Sequence, residues 1–391
     1  MSRRVFFYVQ HLLGVGHVFR AVRIARGLRE QGFAVDLALG GVPISGLEAK
    51  DLNVVQLTPV KAGADGFSNL VTASGEAIGP DFKERRRREL LEAFTSRGPD
   101  VLLIEAFPFG RRQMRFELVP LLEAAHARRP RPLVVTSIRD ILQENAKPGR
   151  AEETVVILER YFDHVIVHGS PNLIQLHATF SLADRIAPMT SYSGLVGPEP
   201  VELEGAEVRA ADVIVSAGGG AVGRRLLEIA VLAKPRTALT ASRWLVVTGP
   251  NADAADCERL MRLASQYDVQ VERFLPNLPG ALRHAQLTIS QGGYNTVADI
   301  LSAGCKAVLV PYAEQGETEQ SRRAALLEDR GLAVAVSEIN LTPDVLANAV
   351  ARAMSLPRSS FMPDLSGAAR TGVILKRLLA HPRRGTENAF S

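Results

Sequence analysis

Ile289-Ser-Gln-Gly-Gly-Tyr-Asn-Thr-Val-Ala-Asp-Ile300 runs from an apolar strand end, through two adjacent glycines, into a segment with helical spacing. Glycines between a strand and a helix let main-chain N–H groups face outward, and the helix adds its positive end. The scheme recurs upstream at Ser216-Ala-Gly-Gly-Gly-Ala-Val-Gly223, which follows the apolar run Val213–Ser216 and precedes the helical pattern Arg224–Leu232. Around these loops, strands are expected at Trp244–Thr248, Val269–Glu272, Leu287–Ser290, Ala307–Val310 and Ala333–Val336, and helices at Ala254–Ser265, Thr296–Ala303 and Glu317–Asp329. The first half alternates likewise. Strands are expected at Val5–Val9, Val35–Leu39, Val54–Leu57, Val101–Glu105, Leu133–Thr136 and Val165–Val167, with helices such as Val18–Glu30, Arg85–Thr95 and Glu117–Ala127 between them. This alternation predicts an α/β chain with two Rossmann-like, doubly wound, parallel-sheet domains. Gly197-Pro-Glu-Pro-Val-Glu-Leu-Glu-Gly205 has neither period and marks the join. The expected organisation is a first domain over 1–198, a linker over 199–209, a second domain over 210–366, and a helix and tail over 367–391 that pack back on the first domain. Ligands of open α/β sheets bind outside the carboxyl ends of the strands, so the cleft between the domains is where chemistry is expected.

Composition narrows the function. The 391 residues are 46% hydrophobic and 23% charged, enough for two separate cores. A formal charge of +4, 6% aromatic residues and one Trp supply neither a dense basic surface nor stacking platforms, so no nucleic-acid partner is expected. Cys257 and Cys305, the two cysteines, form no CxxC pair and exclude a disulfide framework or four-cysteine zinc site; a cytoplasmic setting fits them best. The apolar run Val5–Val9 stops at Gln10-His11 without a small-residue cleavage site and reads as a first strand. No stretch approaches the ~20 apolar residues of a spanning helix, which leaves a peripheral contact at the inner membrane face open.

From the residues alone, each loop has two meanings. The glycine clusters are phosphate cradles or tight turns. Asp299 stands at capping-box spacing from Thr296, and Asn295 or Thr296 is placed to cap the helix. A carboxylate at Asp299 can equally grip ribose hydroxyls beyond a phosphate cradle. The polar segment Val310–Ala324 suits sugar hydroxyls, which need donors and acceptors, or is a solvated helix start.

Taken together, Gly292–Asp299, Ala303-Gly304, Leu309-Val-Pro-Tyr312 and Glu319-Gln-Ser-Arg-Arg-Ala324 resemble the donor domain of MurG-like glycosyltransferases over about residues 212 to 338. The resemblance implies the GT-B arrangement and a nucleotide-diphosphate sugar, usually UDP-linked, as donor. Position by position it implies diphosphate contacts from Gly292, Gly293 and the Gly218, Gly219, Gly220 loop, with Asn295 and Thr296 at the helix start. It implies a ribose contact from Asp299, base-edge contacts around Phe274 and Leu275, and sugar contacts from Glu319 or Gln320, with Glu314 and Gln315 beside them. Two positions depart from the family: its ribose acid is commonly Glu, and Gln291 stands where many relatives carry His or Ser.

Leu12-Leu-Gly-Val-Gly-His17 resembles the glycine-rich loop ending in Gly-His that opens the same family, with Arg20 in place of the usual Pro and one glycine fewer. An imidazole over the cleft can take a proton from an attacking hydroxyl near neutral pH, although a His at a helix start also serves as a structural hydrogen-bonder. His17 is the expected general base, with Gly14, Gly16, His11, Glu105 and Arg139 as acceptor-side candidates. Lys83-Glu-Arg-Arg-Arg-Arg88 reads as a solvated helix face or a surface for a membrane or phosphorylated acceptor. Phe107–Phe116 reads as a cradle for an amphiphilic acceptor or as packing, and Ala62–Gly79 as a mobile loop. The expected activity is transfer of a sugar, with inversion, to a hydroxyl acceptor, lipid-linked or amphiphilic acceptors included. No cofactor or metal is expected, because no Asp-x-Asp motif occurs. The rival readings are a sugar-nucleotide hydrolase on the same scaffold and a non-catalytic nucleotide-sugar-binding partner protein.

Overall fold

The computed structural model describes residues 2–12, 14–44, 46–63, 66–143, 148–199, 211–219, 223–250, 252–275, 277–312, 317–357, 361 and 363–381. The first domain begins with β1 (Arg4–Val9), α1 (Gly16–Glu30), β2 (Ala34–Leu39) and β3 (Asn53–Gln56), followed by the antiparallel pair β4 (Val60–Gly63) and β5 (Gly66–Thr72). It continues through α2 (Pro80–Arg97), β6 (Val101–Glu105), α3 (Arg115–Ala127), β7 (Leu133–Arg139), α4 (Arg150–Tyr161), β8 (His164–His168), the single turn α5 (Ala183–Ile186) and β9 (Thr190–Tyr192). The second domain holds β10 (Val213–Ser216), α6 (Arg224–Ala233), β11 (Trp244–Val247), α7 (Ala254–Ser265), β12 (Val269–Glu272), α8 (Leu278–His284) and β13 (Leu287–Ser290). After these come α9 (Tyr294–Ala303), β14 (Lys306–Leu309), α10 (Glu319–Glu328), β15 (Val334–Ala335) and α11 (Pro343–Ser355), and the chain ends with α12 (Gly367–Ala380).

Strands covered on both faces read as near-continuous apolar runs, and every residue of Val5–Val9 is fully buried. Alternate side chains serve opposite layers: Val5, Phe7 and Val9 pack toward α1, while Phe6 and Tyr8 pack with the core that holds Leu90 of α2 and Leu118 of α3. The seven-stranded sheet is ordered β3-β2-β1-β6-β7-β8-β9 and the six-stranded sheet β12-β11-β10-β13-β14-β15, with every pair parallel. Strand order therefore reverses between β1 and β6 in one domain and between β10 and β13 in the other. Crevices at such reversals are the ligand sites of doubly wound sheets. The Gly14–His17 loop leaves β1 at the first, and the Gly218 and Gly293 loops leave β10 and β13 at the second.

Two expectations are corrected. Much of Ala62–Gly79 is ordered structure: β4 and β5 pair, and Val71 bridges Ala77. Val60, Ala62 and Leu70 supply the buried side that anchors this hairpin. The Lys83–Arg88 run is not wholly solvated, because Arg86 points inward from α2. It is fully buried and its Nε donates to Glu117 Oε2 at 2.7 Å, whereas Arg85 and Arg88 stay exposed. Within Phe107–Phe116, Phe107 and Met114 are core residues, the packing role of that segment.

The last helix returns to the first domain. α12 lies along α1 so closely that a Cβ on Gly27 would stand 2.6 Å from the Ala368 main chain, and one on Gly372 2.6 Å from the Gln31 side chain. Val196 and Ser366 form a β-bridge where the chain crosses back. The expected linker lies mostly in 200–210 and the basic tail in 382–391, both outside the described residues.

Candidate active site

A cavity of about 380 Å³ lies between the two sheets, lined from both domains. On the second-domain side, the N-terminus of α9 opens directly into it: Gly293, Tyr294, Asn295 and Thr296 all contribute lining. The expected side-chain cap is absent, since Gly293 starts the helix with no side-chain hydrogen bond. Asn295 instead donates from Nδ2 to the Gly16 carbonyl at 2.8 Å, across the cleft. The uncapped end leaves main-chain donors and the positive pole of the helix for an anion. Gly218, with a left-handed φ of 68°, and Gly219 line the same cavity; Gly220 is outside the described residues.

Gly292 has a different task. Its carbonyl accepts from Arg323 Nη1 at 3.0 Å, and a Cβ there would stand 2.9 Å from the Gln320 carbonyl, so its smallness lets α10 close on the loop. Asp299 does line the cavity and is 5% exposed. Burial raises its pKa to about 6, against the pull of Arg23, whose Nη2 stands 2.8 Å from Oδ1 in an ion pair too oblique for a good hydrogen bond. Phe274 and Leu275, with Leu278 and Pro279, form an apolar wall where a base ring can lie. Gln320 also lines the cavity, and its Oε1 accepts from Tyr312 N at 3.2 Å. Glu319 does not: it is buried between Arg139 at 2.6 Å and Arg323 at 2.8 Å, its carboxylate committed to holding the domains together. Glu314 and Gln315 lie outside the described residues.

Across the cavity, Gly14, Gly16 and His17 line the wall from the first domain together with Arg139. His17 Nδ1 is 2.6 Å from Glu105 Oε1. Burial pushes Glu105 upward, but His17, Arg20 and Arg111 outweigh it and hold the carboxyl below its usual range. An ionised carboxylate only accepts, so Nδ1 carries the proton and Nε2 is left with its lone pair. Burial lowers the His17 pKa to about 3 despite Glu105, so the ring is neutral throughout the physiological range. His11 is set apart from this group. It is buried against Gly41 and does not contribute to the cavity wall.

Among the residues of this site that were not expected, Arg20, Arg23 and Tyr294 tie its two walls together. Arg20 and Arg23 follow His17 at intervals of three on α1, a spacing that places all three on one stripe of the helix and makes them legible together. Tyr294 connects them to the second domain: its ring lies 5.1 Å from Arg20 Cζ and 5.6 Å from Arg323 Cζ, and its hydroxyl accepts from Val196 N at 2.8 Å. Among the described residues no group of three His, Cys, Asp or Glu side chains stands close enough to hold a metal ion.

Comparison with known proteins agrees with this geometry. Residues 213–369 match the glycosyltransferase family 28 C-terminal domain. The chain is 26% identical over 365 residues, 86% of either protein, to a UDP-N-acetylglucosamine–N-acetylmuramyl-(pentapeptide) pyrophosphoryl-undecaprenol N-acetylglucosamine transferase of Cupriavidus pinatubonensis. Its fold matches the MurG of Acinetobacter baumannii with a TM-score of 0.58 at 17% identity, covering 96% of this chain and 100% of the other. It also matches the kitacinnamycin glycotransferase with a TM-score of 0.62 at 15% identity, covering 97% and 100%. The chain is thus a glycosyltransferase of the GT-B fold, moving a sugar from a nucleotide-sugar donor. Within that class the second half of the chain carries the glycosyltransferase family 28 C-terminal domain, and the chain as a whole is MurG-like.

Proposed function

We propose that this enzyme moves a sugar from a UDP-sugar to a hydroxyl of a lipid-linked or amphiphilic acceptor, by direct displacement with inversion and without a metal. The observation that carries the reading is the His17–Glu105 pair facing the uncapped N-terminus of α9 across one cavity. His17 Nε2 takes the acceptor hydroxyl's proton as its oxygen attacks the anomeric carbon. The bond from that carbon to the diphosphate breaks, and its electron pair leaves on the diphosphate. Main-chain donors of Gly219 and Gly293 and the α9 pole stabilise that charge, the role a metal takes in other transferases; preorganised donors of this kind are worth about 3 kcal/mol each. The imidazolium that forms is held by Glu105, as in other base-and-carboxylate pairs. Attack opposite the leaving group inverts the anomeric carbon.

The choice of donor and acceptor is supported by the relative's name, which pairs a UDP-linked amino sugar with an undecaprenol-linked acceptor. A lipid-linked acceptor would place the enzyme peripherally at a membrane surface. Among the described residues no helix is long and apolar enough to cross one. The test is His17→Ala with UDP-sugars: nucleotide binding by calorimetry should persist while transfer falls at least a thousandfold, in EDTA as without it. Undiminished transfer removes the base assignment. Release of free sugar at the full rate without acceptor would make the enzyme a hydrolase.

A further inference from the structure

A guanidinium taken out of water carries a desolvation cost that only well-made contacts offset, so a buried arginine beside a reaction centre needs an explanation. Arg20 is 2% exposed. Its Nη2 donates to Glu105 Oε1, the same oxygen that receives the His17 Nδ1 proton. The 3.3 Å approach of Arg20 Nη2 to His17 Nδ1 is therefore two donors meeting on one acceptor. Among the described residues Glu105 Oε2 has no hydrogen-bond partner, so Oε1 carries the contacts of the carboxylate that orients the imidazole. On its other side the Arg20 guanidinium lies over the ring of Tyr294, the first residue of α9.

Resting on the function proposed above, we infer that Arg20 is a positioning residue that aligns the His17–Glu105 pair with the leaving-group end of α9. One planar cation spans both halves of the reaction: it clamps the carboxylate that holds the base and stacks on the residue that begins the helix facing the diphosphate. A flat, delocalised guanidinium suits this better than a point charge, since Nη2 bonds the carboxylate while the face of the group lies on the ring. The flanking stripe positions act in the same sense, with His17 bonded to Glu105 inside the first domain and Arg23 paired with Asp299 in the second. α1 thereby spaces the base from the donor. Other charges face the pair without making this bridge: Arg111 follows β6, Arg139 ends β7, and His168 ends β8 close to Arg20 and Glu105.

The contact predicts a split between binding and turnover. Arg20→Met keeps the length of the stem but removes the planar group and the charge. Donor affinity by calorimetry should stay within about threefold of wild type while kcat falls on the order of 100-fold, the scale at which small misplacements of reacting groups act. Arg20→Lys, which keeps the charge and is the milder change, should recover part of the loss and leave kcat about tenfold below wild type. The 15N shifts of the His17 imidazole at pH 7 supply a readout that needs no turnover. Wild type should show the single Nδ1-protonated tautomer and Arg20→Met a mixture of the two. Wild-type kcat in either variant, equal losses of affinity and kcat, or an unchanged tautomer in Arg20→Met would overturn the inference. Should Arg20→Met not fold, Arg20→Lys decides it: full wild-type kcat there means the planar group is not needed. If wild type transfers no sugar while the tautomer still mixes in Arg20→Met, the positioning contact stands and the functional reading is what fails.

Discussion

Asp299 sits where a carboxylate is least comfortable ionised, and that has a consequence for donor binding. Its pKa is raised to about 6 by burial, with Arg23 opposing. The sign for stability follows: the retained proton favours the fold fully below about pH 4, the ordinary Asp range, and this contribution is lost as pH rises through 6. A ribose diol needs the ionised, accepting form, so the sign for binding is opposite. UDP-sugar affinity measured by calorimetry should rise roughly tenfold between pH 5 and pH 7, as the ionised fraction grows through a pKa near 6. Asp299→Asn should bind weakly and without that dependence. Arg23→Ala, which removes the cation that lowers the pKa, should move the midpoint to higher pH. A flat wild-type profile would show that Asp299 does not contact the donor. Asp299 and His17 were legible in the sequence because each follows a glycine-rich strand-to-helix loop. Arg23 and Tyr294 were not, because their importance comes from which domain they reach, and no local pattern states that. Arg20 was visible only as a departure from the family the loop resembles.

Among the elements, those with regular alternation were read closely and those that depend on distant partners were not. Twelve expected strands are all present; those buried on both faces announce themselves as unbroken apolar runs, while the exposed edge strands β3 and β12 carry only two apolar residues each. The β4–β5 hairpin was mistaken for a mobile loop because its glycines and serines hide the few residues, such as Val60 and Leu70, that anchor it. The charge run in α2 misled for a similar reason: spacing alone does not say that Arg86 has Glu117 waiting inside. Removing one partner of that buried pair leaves an uncompensated charge, so Arg86→Met should destabilise by about 3–5 kcal/mol in urea unfolding, while Arg86→Met with Glu117→Leu should recover much of it. A loss equal or larger in the double variant would mean the pair is not what matters. The α1–α12 contact tests more simply. A Cβ on Gly27 meets the Ala368 main chain, which cannot rotate away, so Gly27→Ala should cost about 1–3 kcal/mol even though alanine is the better helix former. Stabilisation by Gly27→Ala would show that α12 does not dock as described.

Among the described residues, the two large sheets are fastened to each other at several places around one cavity. α12 straps the end of the chain onto α1, Asn295 and Asp299 reach Gly16 and Arg23, and Arg323 of α10 pairs with Asp140 at 2.8 Å while Arg139 pairs with Glu319 at 2.6 Å. In the last group Asp140, Arg323 and Glu319 are almost wholly enclosed and Arg139 is partly exposed. Charges enclosed in this way tolerate only one arrangement, because sliding the domains apart would strand them in a medium of low dielectric. The seam therefore sets the distance between His17 and the α9 terminus as firmly as either sheet does. Asp140→Ala is the selective way to loosen it, since Arg323 keeps Glu319 within its own domain at 2.8 Å and is not left wholly unpaired. Wild type should unfold in a single calorimetric transition. Asp140→Ala should separate into two, the earlier one several degrees below the wild-type midpoint, and saturating UDP-sugar should draw them together because a ligand held by both domains binds only their docked form. One unchanged transition in Asp140→Ala would mean that the strap formed by α12, and not the ionic seam, keeps the two halves of the active site in register.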